Sequence, residues 1–209
     1  MNEDPFMETK DLLPDDFKRC VEFHGHMCGG LAMGYQASKA ALAWLKENRA
    51  MDEELVAIVE NDACGVDAVQ VLTGCTFGKG NFIFHDYGKM AFTFFSRKTG
   101  KGVRLAPKPR PDSGISDRLK ALFEKKQNKT ATDEDLALID QLGEKRAMET
   151  LALPVGELFA LSETTVPLPP KAQIKPSLVC HRCGEPAMAT KMETVDGHPV
   201  CRGCLAKAS

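Results

Sequence analysis

The segment FHGHMCGG places His24, His26 and Cys28 within five residues. A neutral imidazole or a thiolate is a competent ligand for a transition metal, and such a density of ligands has little purpose in a plain turn. Cys28 stands just ahead of a long helical pattern, so unsatisfied N–H groups and the helix dipole should lower its pKa and raise its reactivity. A second stretch, DACGVDAVQVLTGCTFGKGN, carries Asp62, Cys64, Asp67, Gln70, Cys75 and Lys79 directly after a strand. Polar groups collected at the end of a strand commonly line a site. Its GCTFGKGN portion departs from a phosphate-binding loop, because only three residues separate Gly74 from Gly78 and Gly80 stands where Ser or Thr should follow the lysine.

A third group lies near the end of the chain. Cys180-x2-Cys183 and Cys201-x2-Cys204, seventeen residues apart, match the spacing of four-thiolate structural zinc sites, in which the ion replaces a core that the segment lacks. Disulfides and a rubredoxin-like iron centre are the alternatives, and the first fits poorly with the cytoplasmic character of the rest of the chain. His181 and His198 lie close by, but a full thiolate set needs neither, so both are expected at the surface. Cys20 reads as a small buried hydrophobe. His85, Tyr87 and Lys89, in HDYGKMAF, could bring an imidazole, a phenol and an ammonium to the same cleft.

These groups need elements to position them. Helices are expected over Leu13 to Phe23, over LAMGYQASKAALAWLKEN with Leu31, Tyr35, Ala41, Leu42 and Leu45 on one face, and over VDAVQVLTG. Two further helices are expected at 114–126 and 132–150, the second begun by Thr132. Leu55 to Val59 reads as a buried strand, and FIFHDYG, KMAFTFFSR and GVRLAP as an antiparallel meander; LFALSETTV is a last strand. The fold class is α+β, with helices packed on a mainly antiparallel sheet, plus a small C-terminal treble-clef-like zinc finger. The prolines of VPLPPKAQIKP favour an extended spacer. The expected domains are therefore a core at 1–166, a linker at 167–176 and a four-cysteine zinc finger at 177–209.

The chain has 209 residues, 27% charged and 43% hydrophobic, with a net charge of −2. That suits one sizeable core with an appendage and gives no general electrostatic grip on polyanions. The opening residues are acidic where a signal peptide would be basic and apolar, and no apolar run approaches the ~18 residues of a membrane span. A cytoplasmic protein without a membrane association is expected.

In order, FHGHMCGGLAMG, DACGVDAVQVLTGCTFGKGN and DYGKMAFTF resemble the FmdE family of proteins associated with formylmethanofuran dehydrogenase, over residues 14 to 165. Some members carry an added zinc finger, which is what the tail looks like. The resemblance implies an α+β core that forms a homodimer, with a metal or thiol site drawn from His24, His26, Cys28, Cys64 and Cys75, and with Lys79 nearby. Cys28, Cys64 and Lys79 are then the candidates for chemistry. Members usually have proline after the motif cysteine, where this chain has Gly29. The family name implies a complex that reduces carbon dioxide onto methanofuran with a tungsten or molybdenum pterin, in which a chain this small would be an accessory oxidoreductase component.

Two functions follow as expectations. One is a protein of one-carbon metabolism with zinc in the tail and a second metal ion, zinc again, in the core, leaving a position for substrate or water. The other is a regulator or assembly factor whose finger, with Lys171, Lys175, Arg182, Lys191, Arg202 and Lys207, binds nucleic acid or a protein. The apolar AFTFF segment, needing cover on both faces, is a further reason to expect a dimer.

Overall fold

The structure, a computed structural model, describes residues 13–109 and 114–207, so residues 1–12 of the expected core domain lie outside it. The chain divides into two units, residues 1–171 and 172–209.

Five strands build the sheet of the first unit: β1 (Leu55–Val59), β2 (Phe82–Phe84), β3 (Phe92–Ser96), β4 (Gly102–Pro107) and β5 (Phe159–Glu163), in the order β2-β1-β3-β4-β5. β1 and β3 are buried at every position, as central strands must be when both faces are covered. β3, β4 and β5 pair antiparallel in sequence, and β3 also pairs antiparallel with β1, with Ala57 opposite Phe94. The expected meander is corrected at β2, which does not pair with β3 but lies parallel to β1, with Ala57 opposite Phe82. The reason is the segment between β2 and β3, which is caught at the end of β1. Asn61 Nδ2 donates to Lys89 O at 2.6 Å and Lys89 N–H donates to Glu60 O at 2.9 Å. The chain thus passes the tip of β1 and returns on its far side instead of folding back as a hairpin.

Helix α1 (Asp15–His24) starts after Pro14 with two aspartates in its first turn and stops at Gly25, whose φ of 92° few other residues would adopt. Helix α2 (Gly29–Leu45) crosses one sheet face. Ala37, Ala41 and Leu45 pack there with Val59, Phe92 and Leu105, each large side chain stabilising the fold by about 1.5–3 kcal/mol through burial. The opposite side of α2 is also buried. Leu31 and Tyr35 meet Phe17 of α1, together with Ala68 and Leu72 of α3 (Gly65–Thr73). Tyr35 Oη donates to Asp16 at 2.8 Å, and Lys39 pairs with the same carboxylate at 2.6 Å, so α1 is fixed along α2.

Helices α4 (Ile115–Gln127) and α5 (Asp133–Ala152) form a hairpin closed by Ile115, Leu122, Ile139 and Leu142. Thr132 and Asp135 make a capping box at the start of α5. Gln36 of α2 donates to the carbonyls at its other end, 3.0 Å from Leu151 O, holding the hairpin beside α2. A short helix α6 (Val155–Leu158) leads into β5.

On the second face of the sheet Val56, Ile58 and Phe95 are covered by Ile83 and Leu168. Arg97 donates to Pro169 O at 2.6 Å and to Pro170 O at 3.0 Å, so the first prolines of the expected spacer are tied down against the sheet. Phe92 to Phe95 are all buried within this chain, and the aromatic surface on which the sequence based a dimer is not exposed. Among the described residues, no helix is long and apolar enough to cross a membrane.

The second unit contains hairpin β6 (Ser177–Val179) with β7 (Pro186–Met188), hairpin β8 (Met192–Val195) with β9 (His198–Cys201), and helix α7 (Arg202–Ala206). Cys180 and Cys183 occupy the turn of the first hairpin, while Cys201 ends β9 and Cys204 lies on α7. Knuckle, hairpin and helix follow in treble-clef order.

Candidate metal centres

Two groups of ligands converge. In the tail, Cys180, Cys183, Cys201 and Cys204 bring their sulfurs within 4.8 Å of one another. The Cys180–Cys204 and Cys183–Cys201 separations are 4.0 and 3.9 Å. A tetrahedron with zinc–sulfur bonds of ~2.3 Å has edges of about 3.8 Å, whereas a disulfide needs about 2.05 Å. None of the eight cysteines is in a disulfide. The backbone prepares the site: Cys201 N–H donates to Cys180 Sγ at 3.3 Å, and this contact with that from Cys183 N–H lowers the Cys180 thiol to about 6. The quartet fits a zinc site. His181 and His198 remain at the surface, stacked on each other with ring centroids 4.0 Å apart.

In the core, His24, His26, Cys28 and Cys64 place one ligand atom each within 4.8 Å of the others. The convergence arises from two helix starts. Cys28 is the N-cap of α2, its sulfur accepting from Leu31 N–H at 3.4 Å, and Cys64 is the N-cap of α3. The two helices cross with their backbones in contact. A Cβ on Gly34 would lie 2.0 Å from Gly65 O, and one on Gly65 would lie 2.9 Å from Gly30 O. Glycine at 30, 34 and 65 is therefore what lets the two N-caps meet. The turn at Gly25 then brings His26 back beside His24, with ring centroids 4.4 Å apart.

His24 Nδ1 lies 2.6 Å from Asp67 Oδ2, while Nε2 is buried and has no hydrogen-bond partner. A carboxylate holding one ring nitrogen fixes the proton there and leaves the other lone pair free, which is the usual outer shell of a metal-ligating histidine. Burial opposes charge on His24, but Asp67 and Cys64 outweigh it and its pKa is raised. The Cys64 hydrogen bond, resisted by burial and helped by Leu31 and Gly30 N–H, pulls Cys28 down to about 6. Cys64 is pushed up by that same bond and by burial. In the metal-free site the pair shares a proton, with the negative charge on Cys28.

The other expected residues lie elsewhere. Cys75 is corrected: it is fully buried in the sheet core with Val69 and Phe92, and burial raises its thiol to about 11. The chain turns away after Gly74, at φ 70°, so Cys75 cannot follow Cys64 into the ligand set. Lys79 is corrected too. Its Nζ donates to Asp52 O at 3.0 Å, and with Asn81, which donates to Leu55 O, it pins the loop before β2. Cys20 is buried, with its thiol raised to about 12. His85, Tyr87 and Lys89 gather on one another, with Lys89 Nζ 5.8 Å from the Tyr87 ring centre. Asp67, named from sequence only as one of several polar residues, proves to be the residue that orients His24. Its position three after Cys64 on a helix was the available signal, since such residues share a face.

Comparison with known proteins agrees with this arrangement. Residues 23–160 match the family model described as FmdE, molybdenum formylmethanofuran dehydrogenase operon. A relative from Archaeoglobus fulgidus, described as "Probable S-adenosyl-L-methionine-binding protein", is 35% identical over 192 residues, covering 89% of this chain and 51% of that protein. The chain thus spans about half the length of the curated relative. In fold it is similar to the crystal structure of an FmdE-like protein of tungsten formylmethanofuran dehydrogenase from Syntrophus aciditrophicus. The TM-score is 0.52 at 23% identity, covering 92% of this chain and 93% of the other. With its family model spanning most of the first unit and both core ligand segments, the chain belongs to the FmdE family.

Proposed function

We propose that this protein holds two zinc ions, a structural one in the tail and a reactive one in the core. The observation that carries the core site is the buried, unpartnered Nε2 of His24, held in place by Asp67 beside two thiols and a second imidazole. Two nitrogens and two sulfurs suit zinc in tetrahedral geometry. His24, Cys28 and Cys64 are the lasting ligands. His26 is exposed and is the member that can leave, opening a coordination position. Zinc bound there would act as a Lewis acid on a carbonyl or water. Asp67 keeps His24 in the ligating tautomer, and the Leu31 N–H holds Cys28 as thiolate. Neither the redox reaction in the family's name nor the methyl-donor binding in the relative's description is carried over to this chain.

Metal analysis of protein purified without chelator tests the reading: two zinc ions per chain are expected, falling to one in the double variant Cys28→Ser, Cys64→Ser. A count that the double variant leaves unchanged would remove the core site. Asp67→Asn keeps the shape but loses the charge that orients His24. It should weaken core zinc by about 10–100-fold in competition with a chromophoric chelator, leaving tail zinc unchanged. Equal affinity in variant and parent would mean that Asp67 has no role in ligation.

A further inference from the structure

A cavity of about 930 Å³ opens directly beside the core ligands, between the start of α2 and the α4–α5 hairpin. Cys28 and His26 form one end of it. Its body is apolar, with Leu119, Phe123 and Ile139 on the helical hairpin. At the other side stands Arg146, whose stem lies across Gly29: a Cβ on residue 29 would come within 2.8 Å of Arg146 Cγ and 2.9 Å of Cδ. Glycine after the ligand cysteine is therefore what admits the arginine to the cavity. A hydrogen bond from Nη1 to Ser116 Oγ orients the guanidinium. It satisfies one of five N–H donors, and among the described residues no carboxylate pairs with this group. The cations of the lining are Lys120, Lys126 and Arg146, and its acids are Glu124 and Asp140, which leaves one positive charge in excess.

We propose that this cavity binds a small organic anion, whose carboxylate or phosphate is gripped by Arg146 and whose apolar body lies on Leu119, Phe123 and Ile139. The far end of the ligand then faces Cys28 and His26. The inference deepens the metal-site reading and rests on it for the role of that far end, while the grip of Arg146 stands on the cavity alone. A guanidinium offers paired N–H groups that match an oxyanion, and an enclosed charge-assisted pair is stronger than an exposed one. A volume of this size suits a ligand of ordinary metabolite dimensions.

The test is calorimetric titration of the full, zinc-loaded chain with hexanoate, hexyl phosphate and the neutral hexanamide, with metal content measured on the same samples. Hexanoate or hexyl phosphate should bind about tenfold or more tightly than hexanamide, and the tighter of the two anions names the anchoring group. Arg146→Met should abolish that preference at unchanged metal content. Phe123→Ala, at a side chain 45% exposed and thus harmless to folding, should weaken anion and amide alike by about fivefold. Equal binding of hexanoate, hexyl phosphate and hexanamide to the parent, or a preference that survives Arg146→Met, would overturn the proposal. An Arg146-dependent preference in protein that holds no core zinc would uphold the anion site and defeat the metal reading alone.

Discussion

Loss of the tail metal is expected to unfold residues 172–209 outright. Among the described residues of that unit, Cys180 and Val200 are the ones buried to 2% exposure or less, and its strands are three or four residues long. So little apolar burial cannot offset the chain entropy of ordering such a unit. Four thiolates closing on zinc can, since structural zinc in finger peptides contributes about 10–16 kcal/mol near neutral pH. In the double variant Cys180→Ser, Cys183→Ser, or in parent protein treated with a strong chelator, limited proteolysis should cut within the tail about tenfold faster or more. Residues 13–171 should keep their helical circular dichroism, because their cores are built from their own side chains. A tail that resists protease equally with and without metal would show that something other than the ion supports it.

Gly34→Ala should be the most damaging single methyl group in the core. The added carbon would sit 2.0 Å from Gly65 O and 2.6 Å from its carbonyl carbon and Cα. These are backbone atoms that cannot rotate away, so α2 and α3 must part by about 1 Å or more to restore ordinary contact. Overpacking costs typically about 1–3 kcal/mol, and with backbone as the obstacle about 3 kcal/mol or more is expected in urea unfolding. The same parting separates Cys28 from Cys64, so core zinc affinity should fall with stability while the tail ion stays bound. Gly156→Ala is the comparison. Nothing lies within 4 Å of its Cβ position, and it should be neutral or stabilise by a few tenths of a kcal/mol. If Gly34→Ala unfolded within about 0.5 kcal/mol of the parent, the scale of harmless surface changes, the close crossing would not be what assembles the site.

The second effect explains why some of the site was legible and some was not. His24, His26 and Cys28 are near in sequence, and a turn at Gly25 was enough to keep them near in space. Cys180, Cys183, Cys201 and Cys204 carry their geometry in their spacing, because two tight knuckles biting one ion leave the rest of the segment little choice. The helices and strands followed from apolar periodicity, with boundaries within a few residues of those observed. Cys64, Cys75 and Lys79 lie in one stretch whose local pattern does not say which side chains will face the histidines. Only Cys64 does, with Asp67 behind it.

What the sequence determined by itself was therefore whatever is encoded over short range: ligand types, knuckle spacing, caps, and the alternation of helix and strand. Tertiary structure decided the partners. It placed β2 parallel to β1, drew Leu168 onto the sheet, buried Cys75, and brought Arg146 across Gly29 to a cavity that no motif announced. Those outcomes depend on which surfaces meet once helices α2 and α3 cross. That meeting is fixed by contacts between residues tens of positions apart, to which local pattern is blind.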